Sequence, residues 1–249
     1  MHSRIPVRLR KEPLFEAVWE IRFTGTKAGV ADLLPGLIFK ELSGKYSNIV
    51  KLPAANIPDP IVESNPKLKY VPKIRIENGN QAVQIGEHAV SLSCKRPYSG
   101  WSVFSTDIRN LARAISQTGL VKRLDRFSLK YMDLITLNQP IGLECLDVDI
   151  RLGQHAIEER PVQFRTEIVE GDLVHIIQIV APARVALAGN ENDMRGVLLD
   201  IDTIKTTSGE DSWEVLNQRL DDVHLSCKKM FFSLMTPETI AKLEPEYEV

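Results

Sequence analysis

Trp213, Leu216, Leu220, Val223, Cys227, Met230 and Leu234 follow one another at alternating steps of three and four residues. That spacing lines one side of an α-helix with apolar groups over three heptads, and a helix with such a stripe must lay it on an apolar surface. Trp101, Phe104, Ile108, Leu111 and Ile115 repeat the pattern, and Gly119 follows where a helix C-terminal glycine belongs. The chain must therefore supply one or two apolar sheet faces to cover.

Alternation of period two supplies them. In Glu16–Phe23, Ala17, Trp19, Ile21 and Phe23 alternate with Glu16, Val18, Glu20 and Arg22, the pattern of a half-buried strand. Lys73–Cys94 reads as a meander turning at Asn78-Gly79-Asn80 and Gly86-Glu87. Val121–Leu137 is the next long strand, with Phe127, Leu129, Tyr131 and Ile135 on one face. Leu146–Leu152 is read as another strand. Val162–Glu170 and Leu173–Val180 form a hairpin about Glu170-Gly171-Asp172, and Gly196–Thr206 closes the series. Residues 28–45 carry Val30, Leu33, Leu34, Leu37, Ile38 and Leu42 near helical spacing, and Pro35 is expected to split this helix or begin it. Residues 47–72 hold five of the fourteen prolines and read as a long surface excursion containing one short strand.

The order of elements repeats. Residues 12–120 read as strand, helix, meander, long helix, and residues 121–238 as strand, meander, long helix, each long helix led by a tryptophan. The expected fold is α+β: one compact domain of two like-built halves, joined into a single curved antiparallel sheet with the helices on one face. This layout is similar to that of TATA-binding-protein-like duplicated folds.

Four segments carry a second resemblance: Pro13-Leu-Phe-Glu16-Ala17-Val18-Trp-Glu20-Ile21-Arg22-Phe23; Pro97-Tyr98-Ser-Gly100-Trp101-Ser-Val-Phe104; Arg126-Phe-Ser-Leu-Lys-Tyr131-Met-Asp133; and Phe231-Phe-Ser-Leu234-Met-Thr236-Pro-Glu238. Together they resemble a sporadically distributed, functionally uncharacterised family of prokaryotic proteins of about 250 residues. In the third segment that family tends to read Arg-Tyr-Ile-Asn, and Lys130 and Asp133 depart from it. The resemblance implies a fold and brings no catalytic residues with it.

Composition narrows the function classes. Apolar residues at 43% and charged residues at 26% are those of a folded globular chain, which excludes global disorder, collagen and a bare coiled coil. No apolar run reaches the roughly 18 residues of a spanning helix, so no membrane partner is expected. A net charge of −2 gives no global basic field for nucleic acid. Cys94, Cys145 and Cys227 are odd in number and widely spaced, which reads as reduced thiols in a cytoplasmic protein. The start lacks the apolar stretch of a secretory signal; its Arg4, Arg8, Arg10 and Lys11, like the acidic Glu244–Glu248 tail, read as solvated termini.

Candidate chemistry is sparse. Neither a P-loop, a GxSxG or GxGxxG motif, nor a zinc spacing among His2, His88, His155, His175 and His224 occurs. His175, between Leu173 and Ile177, reads as a hydrogen-bonded core histidine. Asp200-Ile-Asp202 puts two carboxylates on one strand face behind Gly189-Asn190, a layout that admits Mg²⁺-dependent nucleotidyl or phosphoryl transfer, although the Glu191–Arg195 spacing is short for that motif. Asp147-Val-Asp149 has the same form and reads as a solvated strand face. Glu16, Glu20 and Arg22 share a face; with Lys130 and Asp133 they are candidates for a polar binding surface or ordinary cross-strand pairs. Arg109, Arg113, Lys122, Arg123, Arg126 and Lys130 form the densest basic run, a candidate phosphate contact without interleaved aromatics. The Trp213–Leu234 stripe reads as core, with a homodimer seam as the alternative. The expectation is a non-enzymatic binding or adaptor protein with a protein partner and no cofactor; the alternatives are the Mg²⁺-dependent transferase at Asp200 and Asp202 and a nucleic-acid binder.

Overall fold

A computed structural model describes residues 4–42, 44–137, 142–157, 161–185, 193–207 and 212–248. The elements are β1 (Arg8–Leu9), β2 (Leu14–Gly25), α1 (Val30–Glu41), β3 (Asn48–Lys51), α2 (Asp59–Ser64), β4 (Ile74–Asn78), β5 (Gln81–Ile85), β6 (Ala89–Lys95), α3 (Trp101–Gln117), β7 (Val121–Ile135), β8 (Arg151–Leu152), β9 (His155–Ala156), β10 (Val162–Glu170), β11 (Leu173–Val185), β12 (Met194–Thr206), α4 (Ser212–Ser233), α5 (Pro237–Lys242) and β13 (Pro245–Glu246).

Nine strands make one antiparallel sheet in the order β10-β11-β12-β7-β2-β6-β5-β4-β3, with the helices on one side. Two runs of this order follow from hairpin turns: β4, β5 and β6 pair in sequence, as do β10 and β11. The strands that open the two expected halves, β2 and β7, are neighbours, and each also adjoins the strand leading into a long helix, β6 and β12. Among the described residues no helix is long and apolar enough to cross a membrane. The chain divides into two compact units. Unit one is Glu16–Leu129 with Ile204–Val223; unit two is Met1–Phe15, Lys130–Thr203 and His224–Val249. Their boundaries fall within β2, β7, β12 and α4.

In unit one the inward row of β2, Ala17, Trp19, Ile21 and Phe23, is buried together with Ile76, Val83, Ile85 and Leu92 from the meander. The predicted stripe of α3 is the covering layer: Phe104, Ile108, Leu111 and Ile115 are buried, and Gly119 takes φ 67 just beyond the helix. Asp221 of α4 fastens α3 from outside, accepting from Trp101 Nε1 at 2.9 Å and from Arg109 Nη2 at 2.7 Å.

The helix α1 corrects one expectation. It runs unbroken through Pro35. Proline here removes one hydrogen bond, a single turn from the start, and Pro35 itself is buried. The start is held from outside the helix: Glu87, in the β5–β6 turn, accepts from the backbone N–H of Gly29 (2.8 Å), Val30 (3.1 Å) and Ala31 (3.2 Å). A carboxylate at the positive end of the helix dipole satisfies three of its orphan donors. The Pro-rich excursion holds the one short strand expected, β3, and adds a 3₁₀ turn and α2, with Pro53 and Pro60 in first-turn positions that need no N–H.

In unit two the core joins Ile177, Ile179, Leu199 and Ile201 of the sheet to Cys227 and Met230 of α4. Leu216, Leu220, Val223, Cys227 and Met230 of the α4 stripe are buried within the chain, while Trp213 and Leu234 at its ends are half-buried. The strand expected at Leu146–Leu152 is corrected: residues 143–145 form a 3₁₀ turn, Leu146 makes one isolated bridge to Met235, and only Arg151–Leu152 pairs, with β9. Alternating Leu146, Val148 and Ile150 pack on the core without a continuous ladder. The termini are not loose. β1 pairs with β13, Arg10 meets Glu246 at 2.7 Å, Lys11 meets Glu244 at 2.9 Å, and Leu9 and Leu243 enter the core. All three cysteines are free and buried; burial pushes the Cys145 thiol up to about 11 and the Cys227 thiol to about 12.

Candidate functional site

The outward row of β2 in unit one gathers part of the predicted set. Glu20 and Arg22 stand opposite Ser91 and Ala89 of β6, small residues that leave the long side chains room. Glu20 Oε1 accepts from Arg22 Nε at 2.8 Å and from Arg126 Nη2 at 3.1 Å. The Arg22 guanidinium lies 4.0 Å from the centre of the Tyr70 ring, so the end of the Pro-rich segment sits over this row. Stacking and a carboxylate hold the guanidinium in one orientation. The three charged side chains are 22–29% exposed, screened from bulk water but reachable. Arg126 Nε is buried with no hydrogen-bond acceptor. Glu16 is on the same face, opposite Lys95. Asp125 takes Thr24 Oγ1 at 3.3 Å and Arg123 Nη2 at 3.2 Å.

The rest of the predicted set is elsewhere. Arg109 is occupied by Asp221, and Arg113 is exposed on α3. Four members of the basic run, Arg109, Arg123, Arg126 and Lys130, each meet a carboxylate.

In unit two, Lys130 Nζ stands 3.7 Å from Asp200 Oδ2, which also accepts from Gln178 Nε2 at 3.4 Å. Burial raises the Asp200 carboxyl above its usual range; Lys130 opposes the rise and Asp202 adds to it. Oδ1 of Asp200 and Oδ1 of Asp202 are both buried with no hydrogen-bond partner. Gly189, Asn190 and Glu191, before this strand, lie outside the described residues. Among the described residues no three His, Cys, Asp or Glu side chains converge as metal ligands, so Asp200 and Asp202 stand as a pair. Asp149 is exposed and pairs with Arg151 at 3.2 Å; Asp147 is exposed.

Asp133 does not share the Lys130 face. An odd step separates them, and Asp133 falls in the parity of Phe127, Leu129, Tyr131 and Ile135. It is buried, and its carboxyl is held well above the usual range, first by burial, then by Glu12 and Asp200. His175 is the core histidine expected: fully buried, Nδ1 2.9 Å from Thr203 Oγ1 and Nε2 3.2 Å from Ser226 Oγ. Burial lowers its pKa, with Glu170 opposing.

Tyr70 was not singled out in the sequence. Its only signal was an aromatic inside a Pro- and Lys-rich stretch. A hollow of about 300 Å³ in unit two is lined by Leu143, Glu144, Val148, Asp149, Arg151 and Ile157. Compared with protein-family models the chain matches none, and it matches no curated protein.

Proposed function

We propose that this protein acts by binding, as an adaptor or ligand-holding scaffold, and that its docking surface is the outward row of unit one around Arg22, Glu20, Arg126 and Tyr70. The observation that carries this is the pair of guanidinium groups sharing one carboxylate oxygen. Each guanidinium has five N–H donors in a planar fork. Glu20 takes one from each, and the remainder suit a carboxylate or phosphate group bidentately. The occupant is an acidic segment of a partner protein. Two like-built halves belong to this proposal, supported by the adjacency of β2 and β7.

Titration with inorganic phosphate, acetate and a poly-aspartate peptide, read by NMR at the arginine Nε–H groups and the β2 and β6 amides, tests the site. Saturable shifts confined to the Nε–H groups of Arg22 and Arg126 and the β2 and β6 amides beside Arg22, abolished by Arg126→Gln, are expected. Absence of shifts, or shifts that survive the substitution, overturns the proposal. Binding of single-stranded nucleic acid in place of the peptide, weakening as salt rises, would favour the nucleic-acid alternative.

One observation favours a second reading, Mg²⁺-dependent phosphoryl transfer at Asp200 and Asp202: their two buried, unpartnered oxygens on one strand face. Calorimetric titration with Mg²⁺ or Mn²⁺ plus nucleotide discriminates, since heat unchanged in Asp200→Ala removes it.

A further inference from the structure

The two edges of the nine-stranded sheet are built differently. β3 is four residues long, ends in Lys51 and is followed by Pro53. Short length, lysine and proline are the devices that keep an edge from pairing with another chain. β10 is nine residues long, VQFRTEIVE, and contains no lysine, proline or glycine. Its outer ladder is open among the described strands, Ile168 is 36% exposed and Val169 70%.

The middle of β10, Phe164–Ile168, is self-complementary about Thr166. Laid antiparallel against a second copy with Thr166 facing Thr166, Arg165 falls opposite Glu167 on one face and Phe164 opposite Ile168 on the other. Gln163 then meets Val169. The faces agree with the fold. Phe164, Thr166 and Ile168 stand beside Ile179, Ile177 and His175, which are buried, so the Phe164–Ile168 contacts continue the core row across the junction. Arg165 and Glu167 are on the outward face, already 2.9 Å apart within the strand, and two such pairs brought together make a four-charge network of alternating sign. A two-fold axis requires this reciprocity, residue i on j and j on i.

We propose that β10 pairs antiparallel with β10 of a second copy of this chain, centred on Thr166, and joins two sheets into one across a two-fold axis. The interface is independent of the docking row on unit one. It also differs from the helical seam weighed in the sequence, most of whose residues are buried within the chain.

Sedimentation equilibrium and native mass spectrometry test it. The wild type is expected to be dimeric. Arg165→Glu, which sets like charges opposite each other twice, is expected to weaken the dimer by roughly tenfold or more. Arg165→Glu combined with Glu167→Arg restores the alternation and is expected to restore the dimer. Thr166→Cys is expected to cross-link to itself under mild oxidation, since the native cysteines are buried. Circular dichroism of each variant establishes that it is folded. A wild type that stays monomeric at high concentration overturns the proposal, as does a dimer that ignores charge reversal and gives no Thr166→Cys cross-link.

Discussion

Truncating Glu87 to alanine isolates the interaction that starts α1. Three backbone donors, on Gly29, Val30 and Ala31, lose their common acceptor. Val30 and Ala31 are 1% exposed, so water does not replace it readily. Loss of a helix cap costs about 0.5–2 kcal/mol, and loss of a carboxylate at the positive end of the dipole adds about 0.3–1 kcal/mol. Donors left in a buried site push the sum upward, to about 3 kcal/mol. For a chain of this size each kcal/mol lowers Tm by roughly 2–4 °C, so a fall of roughly 6–12 °C is expected. Glu87→Gln keeps one acceptor oxygen without the charge and should lose about half as much. Thermal unfolding by circular dichroism gives the Tm, and hydrogen exchange of the α1 amides locates the effect. A loss below about 0.5 kcal/mol, or a loss in which the α1 amides keep their protection, would refute the cap as the anchor of this helix.

Three other perturbations follow from groups in unit two. Asp133 has a raised pKa, so the folded state keeps a proton that the unfolded chain gives up above about 3.8, and the stability linked to it drains away as pH rises. Asp133→Asn should therefore be more stable than the wild type at pH 7 and converge with it near pH 4 in urea titrations; a gap that does not vary with pH contradicts this. His175 slopes the other way: its lowered pKa means that its contribution is present above about 6.5 and lost as pH falls, and His175→Gln should flatten the acid limb of the same curve. Gly196→Ala should cost about 2–3 kcal/mol by thermal melt, because a Cβ there would run into the backbone oxygen of Ile135; a change within about 0.5 kcal/mol would mean that the strands separate easily.

What could be read from the sequence is what depends on neighbours a few residues apart. The stripes of α3 and α4, the β10–β11 hairpin and the alternation in β2 are local periodicities, and each is an element of the fold. What was hidden depends on distant groups. The strand pair of Arg8–Leu9 with Pro245–Glu246 joins segments at opposite ends of the chain, and each alone looks like a charged terminus. Pro35 was misread because the local rule sees the missing N–H and not Glu87 holding the helix start. Leu146–Leu152 alternates as a strand should, but alternation reports burial on one side, and that segment has burial without a ladder. Of the candidate site, the shared face of Glu20 and Arg22 was legible, while Tyr70 was not. Asp133 was legible and overlooked: the same parity that grouped Phe127, Leu129, Tyr131 and Ile135 includes it.

The β1–β13 junction ties together segments more than 230 residues apart. The backbone N–H of Val7 donates to Glu246 and that of Lys11 to Leu243, so neither segment is ordered without the other. Closure entropy grows only logarithmically with loop length, and the sheet formed in between already shortens the effective loop, so the junction costs little more than the ordering of its own few residues.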